Sequence, residues 1–340
     1  MFLKNYWYAA AASGELGRDL FPRMILGTPV VMYRTTEGKP VAMRDACPHR
    51  SYPLSRGKLD GDRLQCCYHG LVFDPTGSCV HIPGQDRIPP RIRAVTYPVV
   101  EKWNWVWIWM GEPAKANIDD IPDMHWNDDA GWARSGGHLE INCHYQLLVD
   151  NLLDLSHAAY VHPTTIGDVS IAETPPNVHS TDGKVVLERS IYNVAPPPFF
   201  TSLHGYDGQI HRMHQIEYQP PANIVILSRC VSTDGDLAKS EGALEYMVLN
   251  AITPADETRT HHFWAVNRNF KLDDKQLDEG FQAQSETTFA EDIDVLEMQQ
   301  NRLDRLDRLG QSAKWVDVSN DSAGVLARRM LMTLSEENAA

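Results

Sequence analysis

Cys47-Pro48-His49-Arg50 and Cys66-Cys67-Tyr68-His69-Gly70 each offer a cysteine and a histidine two or three positions apart, with sixteen residues between His49 and Cys66. A zinc finger would normally pair two cysteines in one knuckle and two histidines in the other. Here each knuckle offers one of each. That mixture is what a [2Fe–2S] centre needs when two thiolates hold one iron and two imidazoles hold the other. Facing hairpin tips can put Cys47 and Cys66 on the first iron and His49 and His69 on the second. Pro48 and Gly70 suit the tight turns such tips require, and turn N–H groups can donate to sulfides. A structural zinc site and unrelated buried residues are the alternative readings. Histidine in place of two cysteines raises the potential, so the centre suits accepting electrons from a reduced ferredoxin or flavin. Cys67, Cys79, Cys143 and Cys230 read as ordinary buried thiols.

A second constellation follows in Asn151-Leu-Leu-Asp154-Leu-Ser-His157-Ala-Ala-Tyr-Val-His162-Pro163. On a helix Asn151, Asp154 and His157 recur every three residues and share one face. His162 comes five after His157, about 140° further round. Both imidazoles can meet one ion only if the helix ends or loosens between them, and Pro163 disfavours helical backbone at the residue before it. Further on, apolar positions 281, 289, 293, 296, 303 and 306 define a buried helical stripe that includes Asp292. Glu291, Asp294 and Glu297 project more toward solvent. A carboxylate facing a core is costly unless paired or metal-bound. His157, His162 and Asp292 together make the two-histidine, one-carboxylate set of non-haem Fe(II) oxygenases. A satisfied polar network inside a buried helix is the competing reading.

The elements that must hold these groups change character along the chain. Up to about residue 112, strand signals at 24–26, 30–33, 41–44, 71–73, 79–82 and 103–109 are separated by turns such as Asp74-Pro-Thr-Gly, which predicts a small antiparallel β domain. Trp103, Trp105, Trp107 and Trp109 alternate like a packed sheet face. The polar, Pro-marked stretch from Gly111 to Pro122 predicts a boundary, giving domains 1–115 and 116–340. In the second, a helix over 145–159 precedes strands at 184–194, 212–218, 222–231, 243–253 and 260–270, and helices over 273–309 and 323–334 follow. Strands first and helices last predict an α+β domain, an antiparallel sheet flanked by helices.

The 340 residues carry 31 basic and 45 acidic side chains, a formal charge of −14. Such a surface repels phosphate backbones and anionic lipid, which argues against nucleic-acid and membrane partners. An anionic substrate then needs a local cationic pocket, for which Arg212 and Arg229 are candidates. The N-terminus lacks a signal-peptide pattern, and the stretch 99–110 is far short of the roughly 20 apolar residues that span a bilayer. Six cysteines in a chain this long do not suggest a disulfide framework, so a reducing cytoplasm is the expected compartment. No Gly-rich dinucleotide fingerprint is evident.

C-x-H…C-x-x-H followed by N-x-x-D-x-x-H-x4-H resembles the oxygenase component of the Rieske non-haem iron aromatic oxygenases. The branch it is most similar to contains vanillate O-demethylase, dicamba O-demethylase and toluenesulfonate methyl-monooxygenase. The likeness spans most of the chain, including Asn5-Tyr-Trp-Tyr-Ala-Ala, residues 150–167, Arg268-Asn-Phe, Asp321-Ser-Ala-Gly and Arg328-Arg329. Cys67 departs from the family's usual residue there.

The resemblance implies an N-terminal Rieske [2Fe–2S] domain, a mononuclear Fe(II) in the catalytic domain, and electrons from NADH through a separate flavin and iron–sulfur reductase, or a ferredoxin. It also implies a head-to-tail homotrimer in which Asp154 bridges His69 of one subunit to a ligand histidine of the next, and Asp154 and Asn151 are the expected catalytic residues beside the metal ligands. It places a substrate contact at His261. The expected reaction is O-demethylation of a vanillate-like methoxy-aromatic acid with release of formaldehyde. Methyl hydroxylation or ring hydroxylation of another aromatic acid or sulfonate is the alternative. A Rieske electron carrier or redox sensor is the non-enzymatic one, needing only the first constellation.

Overall fold

Short runs of apolar residues broken by left-handed turns give the N-terminal part of the chain its strands. The computed structural model describes residues 2–197, 201, 208–239 and 242–339. Trp7–Ala12, Trp105–Trp109 and Val99–Lys102 form one three-stranded antiparallel sheet. The Trp105–Trp109 strand is buried on both faces. Its Val106 and Ile108 join a core with Tyr8, Ile25, Val30 and Met32. Trp103 and Asn104 take φ of 57° and 58° and turn the chain. The strand therefore begins at Trp105, two residues later than predicted. A second sheet orders Phe21–Ile25, Thr28–Arg34, Pro40–Arg44 and Thr96–Tyr97. A third, of Lys58–Asp60, Arg63–Gln65, Val72–Phe73 and Cys79–His81, is a meander of very short strands whose connections carry chemistry.

Later in the chain comes a seven-stranded antiparallel sheet. Its order is Ala133–Ile141, Thr260–Arg268, Leu244–Pro254, Asn223–Ser232, Ile210–Gln219, Lys184–Val194 and Asn177–Thr181. The five predicted strands are its interior. The two edges escape prediction, and Ala133–Ile141 does so for a clear reason: Gly136-Gly137 interrupts its apolar pattern. Both glycines let the Thr260–Arg268 strand come close, since a Cβ at Gly136 would stand 2.7 Å from the Trp264 carbonyl oxygen and one at Gly137 would meet the Trp264 indole at 3.2 Å. The helix Lys275–Arg308 starts at Asp274, whose side chain accepts from Leu277 N–H. It buries Phe281, Ser285, Phe289, Asp292 and Leu296 at intervals of three and four, and packs Phe289 against Trp264 and His262. A last helix spans Ser322–Ala339.

The fold is α+β, a β domain followed by a sheet with helices. The chain divides into a unit of Met1–Ile121 with Thr253–Glu257 and a unit of Pro122–Ile252 with Thr258–Ala340. One prediction needs correcting. The helix expected over 145–159 stops after Leu153, because Asp154 takes φ −125° and ψ 90°. A 3-10 turn, Leu155–His157, and a short helix, Ala158–Val161, follow. Among the described residues no helix is long and apolar enough to cross a membrane.

Candidate functional site

In the first unit the two Cys/His stretches become facing loops. Ser51, at φ 55°, and Gly70, at φ 73°, close them. A Cβ on Gly70 would stand 2.8 Å from Pro83 Cγ, so a larger residue fits neither the turn nor the space. Cys47 and Cys66 are buried within hydrogen-bonding distance of one another, and the amides of His49 and Arg50 point at the Cys47 sulfur. Burial pushes the Cys47 thiol up, and the neighbouring Cys66 adds to the shift. A metal on that sulfur would reverse it by holding the thiolate. The His49 and His69 rings lie with centroids 4.5 Å apart at the exposed tips.

These residues fit a two-iron cluster better than one zinc ion. A tetrahedral zinc needs all four donor atoms around one point, yet among the described residues only His157, His162 and Asp292 bring three such donors within 4.8 Å of one another. A thiol pair on one side and an imidazole pair on the other matches two irons with two protein ligands each. Cys79, Cys143 and Cys230 are buried and free as expected. Cys67 is exposed, contrary to expectation, because Cys66 takes the inward position of the turn and sends its neighbour out.

In the second unit the break at Asp154 is what brings both histidines onto one point. Asp154 caps the 3-10 turn, its carboxylate accepting from Ser156 N–H and Oγ–H at 2.9 Å each. Its backbone carbonyl accepts from His157 Nδ1 at 2.5 Å. His162 donates from Nδ1 to Glu291 Oε2 at 2.8 Å. Carbonyl and carboxylate oxygens only accept, so both rings carry a proton on Nδ1, and the neutral imidazoles turn a lone pair outward on Nε2. Those two Nε2 atoms lie 3.3 and 3.2 Å from the same Asp292 oxygen. Three such groups converging on one point call for a shared proton or a metal ion between them.

The electrostatics say the same. Burial alone would lower the His162 pKa, but Asp292 and Glu291 raise it. Burial would raise that of Asp292, and the two histidines pull it well below the usual carboxylate range. A divalent ion satisfies all three groups at once, and two imidazoles with one carboxylate suit Fe(II) with open positions. Asn151 donates to the same Asp292 oxygen at 3.0 Å. Sequence reasoning missed Glu291, placing it toward solvent. It is half-buried, and Thr165 Oγ also donates to it at 3.2 Å.

A cavity of about 150 Å3 opens beside the three ligands. It is walled by the Lys275–Arg308 helix and one face of the sheet, with Ile226, Val248, Val266 and Phe289 among its apolar lining and Arg212, His214 and Gln284 among its polar groups. A cavity of this size has room for a single benzene-sized ring. Arg212 lines it, fully buried, with Nη1 on Asp168 at 3.0 Å.

Arg229 and His261 do not line it, which corrects their candidacy for this cavity. Strand side chains alternate between faces. Ile226 and Ser228 point to the cavity, so Arg229 points away and pairs with Glu245. His262 packs on Phe289, so His261 lies on the other face, 3.1 Å from His138. Asp154 and His157 border a separate surface hollow with Trp315 and Arg328.

Comparison with known proteins agrees with the two kinds of metal centre. Residues 6–98 match the Rieske [2Fe-2S] domain, and residues 141–337 match the vanillate O-demethylase oxygenase C-terminal domain. The chain is 37% identical over 313 residues to the toluene-4-sulfonate monooxygenase system iron-sulfur subunit of Comamonas testosteroni, covering 90% of each. It is 33% identical over 349 residues to a vanillate O-demethylase oxygenase subunit of a Pseudomonas strain, covering 100% of this chain and 97% of that one. The crystal structure of dicamba monooxygenase with non-heme iron and dicamba superimposes with a TM-score of 0.85 at 32% identity, covering 99% of this chain and 98% of that one.

Proposed function

The chain belongs to the Rieske non-haem iron oxygenases with a vanillate O-demethylase-type catalytic domain, and we propose that its reaction is O-demethylation of a methoxy-aromatic acid. It is the terminal oxygenase component of a system in which a reductase supplies electrons. The observation that carries the finer reading is the three-ligand centre opening on a largely apolar cavity of about 150 Å3, room enough for one aromatic ring. An electron carrier would have no use for that cavity.

Cys47, Cys66, His49 and His69 would hold the [2Fe–2S] cluster, and His157, His162 and Asp292 the mononuclear iron. When bound, these groups supply electron delivery and O2 activation. The chain's own part is positioning. Glu291 and the Asp154 carbonyl fix the two ligand rings, Asn151 holds the Asp292 carboxylate, and the apolar wall sets the methyl group toward the centre while excluding water. In the overall change the methyl carbon gains one atom of O2, and the hemiacetal so formed collapses to a phenol and formaldehyde. The second oxygen atom leaves as water, with two electrons and two protons supplied. NADH is the proposed electron source, through a flavin and iron–sulfur reductase. A homotrimer is the proposed assembly, with Asp154 receiving His69 of a second copy.

The test is incubation of the holoenzyme with a suitable reductase, NADH and a panel of methoxy- and methyl-arenes, scoring formaldehyde. Formaldehyde in stoichiometry with the phenol is the expected result. Methyl hydroxylation is the second reading, favoured by the 37% identity to the toluene-4-sulfonate monooxygenase subunit. A benzylic alcohol formed without formaldehyde would establish it and reject demethylation.

A further inference from the structure

Two hydrogen-bond donors in the wall of the iron cavity meet no acceptor among the described residues. The first is on His214, 4% exposed and part of the cavity lining. Its Nε2 lies 3.3 Å from Arg212 Nη2. A guanidinium only donates, so Nε2 accepts and the imidazole proton sits on Nδ1. Burial, then the charges of Arg212 and Arg189, hold the His214 pKa well below its ordinary value, and the ring stays neutral. That Nδ1–H is buried and unmatched. The second donor is Gln284 Nε2, also buried, unmatched and in the lining. Gln284 stands eight residues before Asp292 on the Lys275–Arg308 helix, about 12 Å along its axis.

Native interiors rarely leave such groups unmatched, because a buried donor without an acceptor forfeits its water for nothing. The rest of the wall is largely apolar, and the nearby Arg212 charge is balanced by Asp168. Two residues of the cavity lining thus carry neutral donors without a partner among the described residues. Asp292 marks the reacting end, and Gln284 stands about two turns away on the same helix.

We infer that His214 Nδ1–H and the Gln284 amide recognise the oxygen atoms of an acidic substituent, carboxylate or sulfonate, on the aromatic substrate. This rests on the aromatic-oxygenase reading but not on the kind of oxidation, since binding is read without turnover. The experiment is anaerobic calorimetric titration of the holoenzyme with 4-methoxybenzoate, 4-methylbenzenesulfonate and methoxybenzene. The wild type should bind at least one of the two anions about tenfold or more tighter than methoxybenzene, as hydrogen bonds to a charged group allow.

H214F and Q284L should each cut that preference by about tenfold while leaving methoxybenzene affinity within about threefold. H214N, which restores an N–H donor, should recover part of it. Iron and sulfide contents equal to wild type show that the variants are intact. Equal wild-type affinity for both anions and methoxybenzene would overturn the inference, as would H214F and Q284L that keep the full preference. Which anion loses more in H214F separates carboxylate from sulfonate recognition.

Discussion

Glu291 shows how much a single carboxylate outside the ligand set decides. It accepts the Nδ1 proton of His162, and so turns Nε2 toward Asp292 and makes the nitrogen a better donor to a metal. E291A should lower affinity for mononuclear iron roughly 10–100-fold. E291Q, which keeps a carbonyl acceptor but not the charge, should lower it less. Competition against a ferrous chelator measures this, and the cluster absorbance serves as an internal control. Unchanged iron retention in E291A would remove the orienting role. Sequence reasoning could find Asp292, because an acid in an apolar stripe is conspicuous. It could not find Glu291, one position off that stripe, because reaching His162 depends on the approach of a segment 129 residues away.

At the level of the element, the histidine pair was legible in the sequence but the backbone that joins it was only half so. Pro163 signals an end to the helix, yet the decisive break is at Asp154, where the acid serves its own backbone as a cap before it serves anything else. The interior strands were readable from alternation. Which parity of each strand meets the cavity was not, and that is why Arg212 faces it while Arg229 does not. The Thr260–Arg268 strand carries a consequence for pH. His262 is fully buried, with Nε2 2.9 Å from Asn250 Oδ1.

Burial lowers the His262 pKa to about 4, against a weaker opposing effect of Asp292. The unfolded chain protonates this residue below about 6.5 while the folded one does not. The unfolded state therefore binds more protons, and stability, complete above that pH, declines as pH falls toward 4. The full loss is about 3 kcal/mol at most. The urea midpoint should drop between pH 7 and pH 5, and H262Q should show a shallower drop. Identical slopes would mean that other groups set the acid limit.

For the whole molecule the question is how electrons held at one set of loops serve a centre in another unit, and Asp154 is where that can be tested. Its carboxylate is engaged only with Ser156 among the hydrogen bonds described, and it borders an open hollow beside His157. One carboxylate oxygen bonded to Ser156 still has a second lone pair to offer an incoming imidazole N–H, the role proposed for it toward His69 of a second copy. Asp154→Asn keeps an oxygen to cap the turn and leaves the backbone carbonyl on His157 untouched. Iron content, cluster spectrum and thermal midpoint should therefore match the wild type, and the reductase should still reduce the cluster at the normal rate. Product formation should fall roughly 10–100-fold, the usual loss when a partner of a ligand imidazole is removed. Because both metals are present and the cluster is reduced, the deficit would lie in transfer between centres. Wild-type turnover in Asp154→Asn would leave the acid as a cap alone and send the electron path elsewhere.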